Sequence, residues 1–478
     1  MSSEPLTVVN FGRNVSFHPQ VMLAPRSVEE VLQILKQYAG RRVRTIGRLH
    51  AWSEAARGDD VLLDLRHLND VKTEQRDGHV WVTIEAGCQM KRVLAELERQ
   101  AGATTPSIGL ITEQAIAGAI STGTHGSGKH SLSHYIDEVR IATYDAVSGE
   151  PVIRTISGGP ELRAARCSLG CLGVIVSVGL WARPQYRVEE HFRRYQTLDG
   201  VLAGESEHPL QQFFLIPWSW DFYGQHRREV AAPRSWLAPL YRLYFFLTFD
   251  LALHIVIVML VQWQRTRWGV RCFYRNLMPW TVLRGWKVID KSDDMLVMEH
   301  ELFCHIEIEV CVKRSRLSAA IPFVVELLRH FDGEPNALSS VTQERLQSLG
   351  LLESLVPCAG SYTHHYPICV RRVLPDDTLM SMASGDDEDY YAISIVSCAR
   401  PSERAGFFRF AEHLARTTTV LFEARPHWGK YCPIDPKTVA ALYPHLTEFR
   451  SVCSGIDPAG RFRNEWASRL LFGESLPD

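Results

Sequence analysis

Ser27, followed three residues later by Glu30 and then by Val31, Leu32 and Leu35, has the form of a capping box opening an amphipathic helix. Behind it, VRTIG (43–47) and VLLDL (61–65) are short apolar runs that predict strands, and HVWVTIEAG (79–87) alternates as a half-buried strand does. MKRVLAELERQ (90–100) returns to helical spacing. EVRIATYDAVSG (138–149) predicts another strand, and SLGCLGVIVSVGLWARP (168–184) ends the region with an apolar strand and a proline. Strands and helices alternating through short links predict an α+β or α/β first domain. Farther on, EHELFCHIEIEVCV (299–312) alternates like a strand, and the acidic run GDDEDYY (385–391) reads as a solvated loop before a strand at AISIVSCA. The chain shows no internal repeat and no low-complexity tract.

One stretch departs from the pattern of a soluble domain. From Trp236 to Trp263 the sequence is WLAPLYRLYFFLTFDLALHIVIVMLVQW, followed closely by Arg265, Arg267 and Arg271. Two readings stand: a long core helix or helix pair, and a membrane-contacting surface with aromatic and arginine anchors. A spanning helix is disfavoured, because Asp250 near its middle costs about 3 kcal/mol to insert.

The chain has 478 residues, enough for roughly two or three domains. With 52 Lys and Arg against 54 Asp and Glu it has no basic excess, so nucleic acid is excluded as a main ligand. The eleven cysteines form no CxxC pair, and no metal-ligand spacing is present. They read as reduced thiols of a protein in, or facing, the cytosol. The opening residues lack an apolar signal core, so secretion is not expected.

The densest chemistry lies in PSIGLITEQAIAGAISTGTHGSG (106–128). Glycines let backbone N–H groups approach an anion, and Ser and Thr hydroxyls add donors, so this segment predicts a pyrophosphate cradle. It matches neither GxGxxG after a strand nor the Walker pattern. A glycine-rich turn between strands is the plainer alternative.

Together with TIGRLHAWS (45–53), SLGCLGVIVSV (168–178) and PHWGKYC (426–432), the segment AGAISTGTHGSG resembles the aldonolactone oxidases and dehydrogenases of the vanillyl-alcohol-oxidase-type flavoproteins. The resemblance implies an α+β fold: a two-part FAD-binding domain at 17–187, an α+β substrate cap at 188–415 containing the apolar segment, and a C-terminal segment at 416–478 returning to the flavin. It implies FAD-dependent hydride transfer from a sugar-acid lactone, such as D-arabinono-1,4-lactone, or from a polyol. The electron acceptor would be oxygen, a quinone or a cytochrome.

The resemblance also assigns residues. Gly47, Arg48, Leu49, His50, Ala51, Trp52 and Ser53 match the first pyrophosphate loop, and His50 stands where many members bond the flavin covalently. Leu49 and Ala51 replace a glycine and a serine of the common pattern, and Leu49 is not expected to reach positive φ easily. Pro106, Ser107, Gly109, Gly118, Ala119, Ser121, Thr122, Gly123 and His125 match the second cradle, and Ile175 the adenine side. His427 and Lys430 lie in the intact H-W-x-K frame. Arg371 matches the arginine of an acidic-x-Arg strand motif, with Cys369 at the acidic place. Arg371, Lys430, His427 and Ser107 are the catalytic candidates. Pro106, by analogy beside the flavin edge, points to an acceptor other than oxygen. Two further readings remain: a membrane-associated flavoprotein acting on a lipid-linked sugar, and an FAD-binding protein that has lost catalysis.

Overall fold

The computed structural model describes residues 6–298, 303–385 and 387–474. Residues 299–302 of the expected strand at 299–312, and residue 386 of the acidic run, lie outside the described residues.

The first domain has two lobes. In the smaller, Val21–Leu23 and Val43–Ile46 flank Val61–Asp64 in a parallel three-stranded sheet. All four residues of Val61–Asp64 are buried, which explains why that strand reads as a continuous apolar run. The helix Val28–Gln37 covers it through Val31 and Leu35. Ser27 Oγ accepts the Glu30 N–H, while the Glu30 carboxylate accepts from the Arg26 N–H, so the return half of the capping box is displaced by one residue.

The larger lobe is an antiparallel sheet with Val174–Pro184 between Ile136–Tyr144 and His79–Glu85. Val174–Leu180 is buried throughout, as a central strand requires. Gly179 is dictated by packing, since a Cβ there would lie 2.3 Å from the Trp81 ring.

The cap is built on an eight-stranded sheet that begins at Arg187–Tyr195 and ends at Arg425–Pro426. Alternation along its strand Ile306–Lys313 decides the site. Ile306, Ile308 and Val310 pack against the helices Arg314–Asp332 and Ala405–Phe422. His305, Glu307 and Glu309 therefore point from the opposite face.

The expected boundary at 416 falls inside the helix Ala405–Phe422, whose Leu421 and Phe422 belong to the cap core. The chain leaves the cap only after Arg425–Pro426. Leu446, Phe449, Phe462 and Trp466 then join the core of the first domain. Arg44, buried in that domain, donates to the Phe462 carbonyl at 2.7 Å and fixes the return.

The apolar segment forms one helix, Ala238–Trp263, containing π-helical stretches at Phe246–Ala252 and Met259–Trp263. Shorter helical pieces follow from Arg267 to Thr281. Only 28% of its most apolar 18-residue window is buried.

Candidate active site

A cavity of about 300 Å³ runs from the first domain into the cap. Its first part is walled by Gly47–Trp52, by Ala115 to Thr122, by Gly170 and Gly173, and by Ile175. Its second part is walled by the cap strands and by the inner face of the helix Ala238–Trp263.

The turn Gly47–Trp52 is held from both ends. Leu49 adopts φ +55°, the left-handed conformation that the sequence reading did not expect of a leucine, and its carbonyl accepts the Phe11 N–H at 2.9 Å. The Trp52 N–H donates to the Gly429 carbonyl at 2.8 Å, and Ser53 Oγ donates to the Trp428 carbonyl at 2.6 Å. These bonds tie the turn to the H-W-x-K frame, although almost 380 residues separate them. His50 stacks on Phe11 at 4.9 Å, and its Nδ1 donates to the Arg48 carbonyl at 2.9 Å.

Ala119, Ser121, Thr122 and His125 line the cavity, as does Gly118. No atom lies within 4 Å of where a Gly118 Cβ would stand, so the backbone is open to the cavity there.

Five of the expected residues lie elsewhere. Ser53 faces Trp428, and Pro106 is half-buried away from the cavity. Ser107 Oγ donates to the His130 carbonyl at 2.9 Å beside a separate, smaller void. Gly109 packs against Thr124, and Gly123, at φ +75°, packs against Met382. These residues shape the loop from behind. The structure thus withdraws the basis for a catalytic Ser107 and for an oxygen screen at Pro106.

The cap presents its charge on three adjacent strands. Lys430 Nζ lies 2.5 Å from Glu307 Oε2 and 4.4 Å from the centre of the Trp52 ring. Ser394 Oγ donates to the other oxygen of Glu307. Arg371 lies 2.5 Å from Glu309 Oε2, and His125 Nε2 lies 3.0 Å from Glu309 Oε1. The Nδ1 of His125 faces the Gly126 carbonyl at 3.0 Å, so both ring nitrogens meet oxygen atoms.

Burial pushes the Glu309 carboxyl up, but Arg371, His125 and His427 outweigh it and hold it well below the usual range. Burial opposes the charge of Arg371, yet Glu309, Cys369 and Glu307 together raise its pKa. Burial lowers His427 to about 3 and His305 to about 4, so both imidazoles are neutral near pH 7. Burial also pushes the Cys369 thiol up to about 11.

Glu307 and Glu309 were missed in sequence, although CHIEIEVCV carried a usable signal. Two carboxylates alternating with β-branched residues lie on a strand apolar enough to be buried, and buried carboxylates require partners. The acid absent at Cys369 is present on another strand. Cys369 faces Ser394 across one ladder, and Ser394 faces Glu309 across the next.

The set fits a flavin dinucleotide. Small residues and hydroxyls line the first half, and two buried cations meet at the junction. Arg371 Nε is buried with no hydrogen-bond partner among the described residues, leaving a donor for a bound group. The first half would hold the pyrophosphate and adenosine, and Lys430, Arg371 and Trp52 the ring end.

These features define a two-part FAD-binding domain joined to a substrate cap. Residues 19–147 match a family model described as FAD binding domain, and residues 254–470 match one described as D-arabinono-1,4-lactone oxidase. The chain is 50% identical over 462 residues to a long-chain alcohol oxidase of an uncultured marine euryarchaeote, covering 97% of this chain and 96% of that one. It is 25% identical over 479 residues to the L-gulonolactone oxidase of Scyliorhinus torazame, covering 97% and 98%. Its fold is similar to a cholesterol oxidase from B. sterolicum, with a TM-score of 0.72, 14% identity and coverage of 98% and 97%. The chain belongs to the aldonolactone oxidase and dehydrogenase family of vanillyl-alcohol-oxidase-type flavoproteins. It is an FAD-linked oxidoreductase acting on CH–OH groups of a sugar lactone or alcohol.

Proposed function

We propose that the substrate is a long-chain primary alcohol, oxidised to its aldehyde with oxygen as the final electron acceptor. The observation that carries this reading is the wall of the cavity beyond the charged cluster. Phe192, Phe214, Phe245, Phe249, Leu253 and Val282 form it. Its polar members His254 and Tyr366 bond to each other at 3.0 Å. An alkyl chain entering there gains about 0.8 kcal/mol per methylene. Each hydroxyl of a sugar lactone left unpaired there would cost about 1–3 kcal/mol. The 50% identical relative named for long-chain alcohols supports the same reading over one specific for arabinonolactone.

The carbinol carbon must lose a hydride and the hydroxyl a proton. FAD, when bound, supplies the hydride acceptor and passes two electrons to oxygen, giving hydrogen peroxide. Glu307 is the group placed to take the hydroxyl proton, because it projects into the cavity where the charged and apolar walls meet. Lys430 and Ser394 orient its carboxylate. Arg371, aligned by Glu309, directs positive charge to the same place and would favour the negative charge that a bound flavin gains with the hydride.

Covalent attachment of the flavin through His50 belongs to the same proposal. With Nδ1–H donating to Arg48, the ring's reactive lone pair is on Nε2. Joining Nε2 to the flavin 8-methyl carbon would break one C–H bond and form one C–N bond, and the ring would then give up its Nδ1 proton, the one N–H it carried. The two protons and two electrons released pass to oxygen. Flavin fluorescence surviving on the denatured polypeptide, and lost in His50→Ala, is the expected result.

The substrate reading is tested by measuring peroxide formation along a series of primary alcohols. The expected result is kcat/KM rising with chain length, with Phe249→Asp abolishing the rise while leaving a short alcohol turned over. Equal or better turnover of gulono- or arabinono-lactone overturns it.

A further inference from the structure

The helical layer that walls the apolar end of the cavity is one helix thick, and its other side faces out of the protein. Phe245, Phe249, Leu253 and His254 point into the cavity. From the same helix Leu240, Leu243, Leu247 and Ile255 point outward, each about half exposed. Four tryptophans stand around this face: Trp236 is 86% exposed, Trp263 73%, Trp268 76% and Trp280 81%. Of the twenty large hydrophobic side chains exposed among the described residues, twelve lie between 236 and 283. A water-facing surface seldom gathers them so, and indole rings exposed at the edge of an apolar face suit the boundary between hydrocarbon and water.

Charge selects what covers the face. Between residues 234 and 287 there are eight Arg and Lys and one acid, Asp250, in a chain whose totals are 52 and 54. Some are committed to acids of the cap: Arg265 to Glu403, Arg271 to Asp332, and Arg234 and Arg242 to Asp290. Arg267, Arg275 and Arg284 have no carboxylate partner among the described residues, and all three are exposed. A second copy docked face to face would set these guanidinium groups against their own kind. Anionic lipid head groups complement them.

Geometry excludes a crossing. The helix Ala238–Trp263 is long enough to span, but one side is packed on the cap, with Asp250 and His254 buried against it. Gly47–Trp52 before it and Lys430 after it line one cavity, so both flanking parts of the chain stay on one side.

We propose that this face seats the enzyme in one leaflet of an anionic bilayer, on the side facing the cytosol. The helix lies in the membrane plane, the tryptophans sit at head-group depth, and the apolar alcohol reaches the cavity from the lipid through the helical layer. The docking stands on the surface alone, whereas the route of the alcohol rests on the substrate reading above. Eleven cysteines, none in a disulfide, agree with a reducing side.

The test is flotation of the FAD-loaded full chain with vesicles of phosphatidylcholine alone or mixed with phosphatidylglycerol. Two variants accompany it, one carrying Trp236→Ser, Trp268→Ser and Trp280→Ser, the other Arg275→Glu and Arg284→Glu. The wild type should float with the anionic vesicles, and each variant should partition about tenfold more weakly or worse. Both variants should retain flavin and turn over a short soluble alcohol at the wild-type rate, while losing turnover of a long-chain alcohol carried in vesicles. A wild type that stays in solution, variants that float as it does, or a dimer that buries the tryptophans overturns the docking. Flotation with oxidation of no alcohol, soluble or vesicle-borne, leaves the docking standing and defeats the substrate reading and the proposed route.

Discussion

Lys430 and Glu307 meet at 2.5 Å, joining the segment that returns from the cap to the cap's own strand Ile306–Lys313. The pair lies beside Trp52 of the turn Gly47–Trp52, so three distant parts of the chain converge where flavin and substrate must meet. Glu307→Gln keeps the shape and removes the proton acceptor, and should lower kcat by about 10²–10⁴-fold with little change in KM. Lys430→Met should cost a similar amount. The double variant should lose far less than the product of the two, because the residues act as a unit. Steady-state kinetics on one alcohol checks this.

Acid should destabilise the protein well before its carboxylates titrate. The folded state holds His427 at about 3 and His305 at about 4, both from 6.5, because burial opposes their charge. Between pH 6.5 and these values the unfolded chain binds more protons than the folded one. Stability is therefore full above pH 6.5 and falls as pH drops below it. Melting temperature measured from pH 7.5 to 4.5 should decline accordingly, and His427→Gln should flatten the decline.

Glu309 behaves oppositely in origin and alike in sign. Its folded pKa is depressed, so its contribution is present above the ordinary carboxylate range and is lost as pH falls through the folded value. Removing one partner leaves the other charge buried and uncompensated. Arg371→Met should cost about 3–5 kcal/mol in denaturant unfolding, and Arg371→Met with Glu309→Leu should recover much of it.

Leu49 holds a left-handed backbone that glycine adopts freely and β-branched residues resist. Leu49→Gly should retain flavin and the link to Phe11. Leu49→Val should purify with markedly less flavin, read from the ratio of absorbance at the flavin band to that of protein.

Pro106 does not reach the cavity, whereas Leu110 and Thr124 do. Pro106→Gly should leave reoxidation of the reduced enzyme by oxygen unchanged within about twofold. Stopped-flow reoxidation of anaerobically reduced protein checks it, and a marked acceleration would return Pro106 to the oxygen path.

The local elements were legible because period and capping are properties of neighbouring residues. The strands at 43–47, 61–65 and 79–87 and the helix at 90–100 follow from alternation and helical spacing, and each forms within a residue or two of its expected span. The glycine and hydroxyl segment and the H-W-x-K frame were legible for the same reason, since each is a short run whose chemistry does not depend on what lies opposite.

What faces what was decided by the fold. Ser107 and Gly123 lie in the cradle segment but turn away from the cavity, because one lone pair of a carbonyl and one methionine side chain claim them first. Leu49 takes its unusual conformation because bonds at both ends of the turn hold it there. Glu307 and Glu309 could be placed on a strand from sequence, but only the sheet order brings Arg371 and Ser394 beside them. The apolar segment shows the division most plainly. Its composition required burial in something, and hydrophobicity has no direction. Packing of one face on the cap sheet assigned the inward side to the cavity and left the outward side, with its tryptophans and arginines, to its surroundings.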